Sequence, residues 1–325
     1  MIAIVADGLG VSFWKCGKLL YEGFKRLGYK SVYLLNAHTS LIPKVYRCVL
    51  IGDTIFSVKW GWHERHKTDK CIFWTDTPLS LDEIRRFTGE VNKDWCIAVT
   101  SYYQEKVFRN AGFKVSAIIP RPIDVYTSEK IQGIKSTWRE RFGRYVITVG
   151  GDQTIIPSRK PRKGLEMFDR LAEYVKAKYG LNAVAVSNWT YFRHVYRIPL
   201  GSLREEDLLT LIRDAELFVW PSRCEGFGVP PLEAMSVGQV VVCSNAPFNG
   251  HVVGIKFDYT NEELVYMPEI NRFYPAFDYD FEQLREAVDY ALSLSNDERE
   301  EIREKAREIA SYYRPDLIAQ LLMEV

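Results

Sequence analysis

Glu225 and Glu233 stand eight positions apart in the run Trp220-Pro221-Ser222-Arg223-Cys224-Glu225-Gly226-Phe227-Gly228-Val229-Pro230-Pro231-Leu232-Glu233-Ala234-Met235. The apolar stretch Leu217-Phe218-Val219-Trp220 before it reads as a buried strand, being too short for a helix. Glu225-Gly226-Phe227-Gly228 reads as a loop whose glycines let backbone approach a ligand closely. Pro230 or Pro231 suits the first turn of a helix, whose opening amides lack partners, and Gly238 suits its end. One carboxylate is therefore expected in the loop and the other in the first helical turn. Free amides and the positive end of the helix dipole favour an anion such as a diphosphate. Carboxylates accept hydrogen bonds from hydroxyls, which suits the sugar and ribose ends of a nucleotide-sugar. A plain strand-to-helix turn, with Glu233 only complementing the dipole, is the alternative; the whole constellation outweighs it.

Further cations lie upstream. Arg159, Lys160, Arg162 and Lys163 place four of them in five positions. They precede Gly164 and a helix with the apolar stripe Leu165, Phe168, Leu171 and Val175. Such a cluster beside a helix start suits an anion, although a solvated basic loop explains each member except Lys163 equally well.

With these residues in view, the chain resembles the retaining glycosyltransferases of family four. Their signature is Pro-Ser, Glu-Gly-Phe-Gly, a Pro, and a second Glu followed by Ala-Met, here Pro221-Ser222, Glu225 to Gly228, Pro230-Pro231 and Glu233-Ala234-Met235. The resemblance implies a GT-B architecture, α/β throughout, with two Rossmann-like doubly wound domains and a last helix crossing back to the first. It implies transfer of a sugar from a nucleotide-diphospho-sugar to a hydroxyl, with retention of configuration. Glu225 would serve the sugar, Gly226, Phe227 and Gly228 would offer amides, and Glu233 would bind the ribose. Lys163 would neutralise the diphosphate. The family has Arg where Gly151 stands, so that role would pass to Arg159, Lys160 or Arg162. No cofactor and no metal are expected. His251 stands near a position where the family often has Glu, and touching a phosphate, capping a dipole and filling space remain open for it.

The elements that position these residues follow from periodicity. Ile2 to Ala6, a helix from about Ser12 ending at Gly28, and a strand Ser31 to Leu35 open the chain as a βαβ unit. Between them Asp7-Gly8-Leu9-Gly10 resembles the family's glycine loop. It is not a dinucleotide fingerprint, because Phe13 occupies the third glycine's place. Short strands are expected within 46–51, 55–60, 71–74, 95–99 and 115–119. The boundaries expected are a first domain over 1–124, a donor domain over 125–311, and a terminal helix over 312–325 that packs on the first. Gly8, Gly10, Asp76 and His63 are the acceptor-side candidates. Thr75 stands where the family often has His, and Asp76 could equally cap a helix. His63 lies in the aromatic and basic segment 60–67, which is short of a metal-ligand set. In the second domain strands are expected at 145–149, 183–186 and 240–243, and capping boxes at Ser202/Glu205 and Ser295/Glu298.

Composition narrows the class further. The 325 residues suit two domains. No apolar run reaches the ~20 residues that span a bilayer, and the N-terminus enters a strand at once without a signal-peptide pattern. Six cysteines are scattered without a CxxC pair, as in a reduced cytoplasmic protein. The net charge of +1 conceals an asymmetry: residues 1–125 carry 18 Lys and Arg against 12 Asp and Glu, or +6, and the remainder carries 25 against 30, or −5. No nucleic-acid partner is expected. The basic first part suits a glycan or lipid-linked acceptor and peripheral contact at a membrane surface. Two rivals stay open: another GT-B enzyme (an inverting transferase or a sugar-nucleotide epimerase) with Asp76 as base, and a non-catalytic nucleotide-sugar binding protein.

Overall fold

A computed structural model of the chain describes residues 1–6, 11–37, 45–52, 71–75, 96–110, 112–151, 160–267 and 272–325. The chain divides into two compact units. One comprises Met1–Asp124 with Tyr313–Val325, and the other Val125–Tyr312.

The first unit is built on a parallel sheet of β1 (Ile2–Ala6), β2 (Ser31–Leu35), β3 (Arg47–Ile51), β4 (Cys71–Thr75), β5 (Cys96–Val99) and β6 (Val115–Ile118), in the order β2-β1-β3-β4-β5-β6. Successive side chains of a strand point to opposite faces. In β1, Ala3 and Val5 enter one apolar cluster while Ile2, Ile4 and Ala6 enter the other. A strand buried on both faces reads as a continuous apolar run, the mark of a parallel sheet covered by helices. Helix α1 (Val11–Arg26) buries Cys16, Leu20 and Phe24 on one of these faces. It ends at Gly28, whose φ of +81° continues no helix. Helix α2 (Tyr102–Asn110) contributes Phe108 to the opposite face.

The second unit begins with the short helices α3 (Val125–Lys130) and α4 (Trp138–Phe142), joined through a 3-10 turn at Ile131–Gly133. There follow β7 (Tyr145–Gly150), α5 (Leu165–Tyr179), β8 (Asn182–Ser187), β9 (Tyr196–Ile198), α6 (Glu205–Arg213), β10 (Leu217–Trp220), α7 (Val229–Ser236), β11 (Val241–Ser244) and β12 (Ile255–Phe257). The six strands form a second parallel sheet, β12-β11-β10-β7-β8-β9. Next come an antiparallel hairpin, β13 (Asn261–Met267) with β14 (Arg272–Asp278), and helices α8 (Phe281–Ser293) and α9 (Asn296–Ser311). Phe168, Leu171 and Val175 of α5 pack with Leu284, Val288 and Ala291 of α8 on one apolar cluster of this unit. The last helix, α10 (Pro315–Glu324), returns to the first unit, where Ile318, Ala319 and Leu322 join the α1 face of its core.

Two local expectations resolve differently. Ser295 and Glu298 do form a capping box, but Ser202 and Glu205 do not. The helix starts at Glu205 with Arg204 as N-cap, and the Ser202 hydroxyl donates to the Pro199 carbonyl instead. The turn 199–202 gives that hydroxyl a nearer acceptor than the helix start, a competition usual for serine. The strand expected within 55–60 and the segment 60–67 lie outside the described residues. Among those residues no helix is long and apolar enough to cross a membrane.

Candidate active site in the second unit

In the second sheet the strand order reverses between β7 and β10, which are neighbours. Ligands of open α/β sheets bind beyond the carboxyl ends of strands at such a reversal. The chain leaves β7 through Gly151 and re-enters the described residues at Lys160, just ahead of the turn Pro161-Arg162-Lys163-Gly164. It leaves β10 into Pro221 to Gly228. The two segments meet. Lys163 Nζ donates to Glu225 Oε1 at 2.5 Å, and the Ser222 hydroxyl donates to the same oxygen at 2.5 Å. The Lys163 ammonium also lies 5.4 Å from the centroid of the Trp220 ring. The Lys163 and Glu225 side chains keep only 12% and 9% of their surface exposed. Each charge is therefore largely desolvated and depends on the other, since an uncompensated buried charge costs several kcal/mol.

Close approach of the segments depends on Gly164. It caps α5 at φ +62°, and a β-carbon there would stand inside contact distance of the Pro221 carbonyl oxygen and the Tyr279 hydroxyl. That hydroxyl donates to Pro221 O at 2.5 Å. Gly228, at φ +80°, caps α7. Because α7 starts at Val229 with Pro230 next, Glu233 lies one residue past the first turn, not within it. Two prolines fit together there because both precede the first residue that donates an intrahelical bond. Glu233 is buried at 5% exposure.

The loop side chains are fixed by packing. Phe227 stacks on His251 with ring centroids 4.3 Å apart and planes 12° from parallel. Burial, helped by Lys256, pushes the His251 pKa down to about 4 against a hydrogen bond with the Gly228 backbone, so the imidazole is neutral at pH 7. Burial raises the Cys224 thiol to about 11, which leaves it protonated and unreactive.

The other expected cations divide. Arg162 Nη1 reaches the Cys224 carbonyl at 3.5 Å, beside Lys163. Lys160 pairs with Asp278. Gly151 packs on Leu200, and a β-carbon there would collide with that side chain. Arg159, Gly8, Gly10, Asp76 and His63 lie outside the described residues.

Sequence reasoning passed over four groups. The motif includes Ser222 without giving it a role, and it says nothing of Arg223. Arg223 is fully buried and touches Pro161, Glu166 and Asp278. Its position between Ser222 and Glu225 was a usable signal, since a charge inside an apolar and glycine-rich run needs a partner. Asp278 and Tyr279 lie more than fifty residues downstream at the end of a hairpin, and no spacing announces them.

The chain is similar to known glycosyltransferases in sequence and in fold. Residues 198–309 match the family described as glycosyl transferases group 1. A protein of a Sulfolobus islandicus filamentous virus, named provisionally as glycosyltransferase 41, is 26% identical over 245 residues, which is 75% of this chain and 67% of that protein. The O-antigen chain mannosyltransferase B of Escherichia coli is 54% identical over 55 residues, 17% of this chain and 14% of its own. A trehalose-6-phosphate synthase structure, described in connection with glycosyltransfer with retention, superposes with a TM-score of 0.69 at 9% identity over 100% of this chain and 99% of that one. Another, from E. coli and bound with UDP-2-fluoro glucose, gives 0.65 at 10% identity over 88% and 74%. The two parallel-sheet units have the GT-B fold. The chain carries a group 1 glycosyltransferase domain on that fold and is a glycosyltransferase.

Proposed function

We propose that the chain is a retaining, family-four type glycosyltransferase that moves a sugar from a nucleotide-diphospho-sugar to a hydroxyl of a glycan, lipid-linked or protein-linked acceptor. The observation that carries this reading is the Lys163–Glu225 pair at the carboxyl ends of β7 and β10. A diphosphate entering beside the start of α5 competes for the Lys163 ammonium and releases the Glu225 carboxylate toward the sugar. Glu225 then faces the positive charge that develops at the anomeric carbon as its bond to the phosphate breaks. Lys163, assisted by Arg162, stabilises the charge that collects on the departing diphosphate, which is electrostatic catalysis by groups already in place. The new bond forms from the acceptor oxygen, and the acceptor proton passes to the leaving phosphate, so no protein base is required. No metal enters this scheme. Gly226, Phe227 and Gly228 supply backbone amides, and Glu233 accepts from the ribose hydroxyls. The retaining trehalose-6-phosphate synthase and its UDP-sugar complex support the donor class and the stereochemistry by analogy of fold. A cytoplasmic enzyme, its basic first part turned to an acceptor at a membrane surface, completes the proposal.

The test is a panel of nucleotide-sugars, UDP-glucose and GDP-mannose first, followed by nucleotide release and by the anomeric configuration of the product. Glu225→Gln and Lys163→Met should each lower kcat by about 10²-fold or more, the scale of losing a charge-stabilising group. Lys163→Met should also weaken nucleotide-diphosphate binding, whereas Glu225→Gln, which removes the competitor for the Lys163 ammonium, should not weaken it. Product of inverted configuration would defeat the retaining reading, and binding without turnover by any donor would defeat the catalytic one.

A further inference from the structure

Arg223 is among the largest side chains with essentially no exposed surface, and the motif around it gives no account of a charge there. Its Nε donates to Asp278 Oδ1 at 2.8 Å and its Nη1 to the Pro161 carbonyl at 2.8 Å. Its Nη2 lies 2.6 Å from Glu166 Oε1, a charge contact without the alignment of a hydrogen bond. The guanidinium sits 5.0 Å from the centroid of the Tyr279 ring. The main chain of the same residue donates to Arg162 O at 3.0 Å and accepts from Phe277 N at 2.8 Å. Three segments far apart in sequence, 160–166, 221–225 and 277–279, are thus tied at a single residue. Burying a guanidinium is expensive, and apolar packing would often be at least as stabilising. What the charge adds is direction, because the planar fork fixes where each partner lies.

The partner that matters most is Pro161 O. This carbonyl also accepts from Gly164 N at 3.0 Å, which closes the turn that displays Arg162 and Lys163. Arg223 therefore grips that turn from inside, one residue from Ser222 and two from Glu225. Asp278 keeps the grip in register. Its pKa lies below the usual carboxylate range: burial raises it, but Lys160 and Arg223 together outweigh the burial.

We propose that Arg223, braced by Asp278, is a positioning residue that sets Lys163 against Glu225 and so shapes the diphosphate end of the site. This rests on the nucleotide-sugar reading given above. Arg223 touches no substrate in this scheme. It acts through the Pro161–Gly164 turn.

Arg223→Lys keeps the charge but loses the fork, and Asp278→Asn keeps the shape but loses the brace. The full-length variants are compared by hydrogen exchange over 160–166, by protection of that segment with inorganic pyrophosphate, and by kcat and KM with the donor that the wild-type chain turns over. Exchange in the turn should speed up about tenfold in Arg223→Lys, with little change in the later turns of α5. Pyrophosphate should protect the variant turn only at about tenfold higher concentration, and donor KM should rise about as much while kcat falls. Should Arg223→Lys fail to fold, Asp278→Asn is expected to show the same pattern more weakly and decides alone. Unchanged exchange in the turn overturns the proposal. So does a uniform loss of protection across the second unit with unchanged kcat and KM, the signature of a merely structural residue. If the wild type turns over no nucleotide-sugar, the functional reading falls, while the exchange and pyrophosphate arms still decide the role of Arg223.

Discussion

His251 shows how a residue type misleads when its surroundings are unknown. A histidine beside a phosphate loop invites a role as a cation, yet this imidazole is stacked on Phe227 and its pKa is pushed down to about 4, chiefly by burial. At neutral pH the ring is therefore uncharged. The shift has a definite sign. Above the ordinary histidine value of about 6.5, neither the folded nor the unfolded chain protonates it, and stability is independent of this group. As pH falls from about 6.5 toward 4 the unfolded chain gains a proton that the folded chain refuses, and stability is lost, by at most roughly 3 kcal/mol. His251 as a whole residue is only half-buried, which makes the loss smaller. His251→Phe keeps the stack with Phe227 and cannot titrate. Urea midpoints measured from pH 7.5 to 4.5 should fall more steeply for the wild type than for His251→Phe. Parallel curves would show that the buried imidazole is not what makes this loop acid-sensitive.

At the scale of elements, the two ends of α5 depend on glycine for two separable reasons. Gly164 and Gly180 cap the two ends of α5 with nearly the same positive φ, +62° and +68°. Nothing lies within 4 Å of a β-carbon at Gly180, whereas at Gly164 the carbonyl of Pro221 is in the way. Gly180→Ala should therefore cost only the left-handed strain, about 1–2 kcal/mol. Gly164→Ala should add an overpacking cost of roughly 1–3 kcal/mol and separate Lys163 from Glu225. Urea unfolding gives the first difference and donor turnover the second; equal losses at both positions would remove the close-approach argument. The loops at the carboxyl ends of β7 and β10 mark how far the sequence could be read. Strand, glycine loop and helix are local, so β10, the Glu225–Gly228 loop and α7 were legible from spacing, and Lys163 from its place before a helix. The partners of Arg223 were not, because Asp278 reaches it from a hairpin whose strands carry no motif. The ion pair of Lys160 with Asp278 was hidden for the same reason. Ser202 failed as a cap because its hydroxyl found a carbonyl three residues back, a choice that local composition leaves open.

At the scale of the whole chain, the first unit is completed by the last residues. β1 and α1 open the sequence, and α10 closes it by packing on α1 and adding Ile318 and Leu322 to the same core. Full burial of such side chains is worth about 1.5–3 kcal/mol each, enough to hold a short terminal helix that would be marginal alone. The Arg47 guanidinium, which donates to the Leu322 carbonyl, ties the end of α10 to β3. The packing of α10 on α1 is made possible by Gly23 in the interior of α1. A β-carbon at that position would lie inside contact distance of the Pro315 carbonyl. Two effects then oppose each other in Gly23→Ala. Alanine favours the helix by about 1 kcal/mol, but the clash falls on backbone, which cannot rotate aside as a flexible side chain would. Pro315 starts α10, so relief requires shifting the whole helix and uncovering Ile318 and Leu322. The clash should win. Gly23→Ala is expected to lower the thermal midpoint of the first unit and to speed hydrogen exchange over 315–324, leaving exchange in the second unit, including 160–166, as in the wild type. A variant as stable as the parent, with α10 still protected, would mean that the two helices can separate slightly without loss, and that the terminal helix is held by Arg47 and β3 more than by α1.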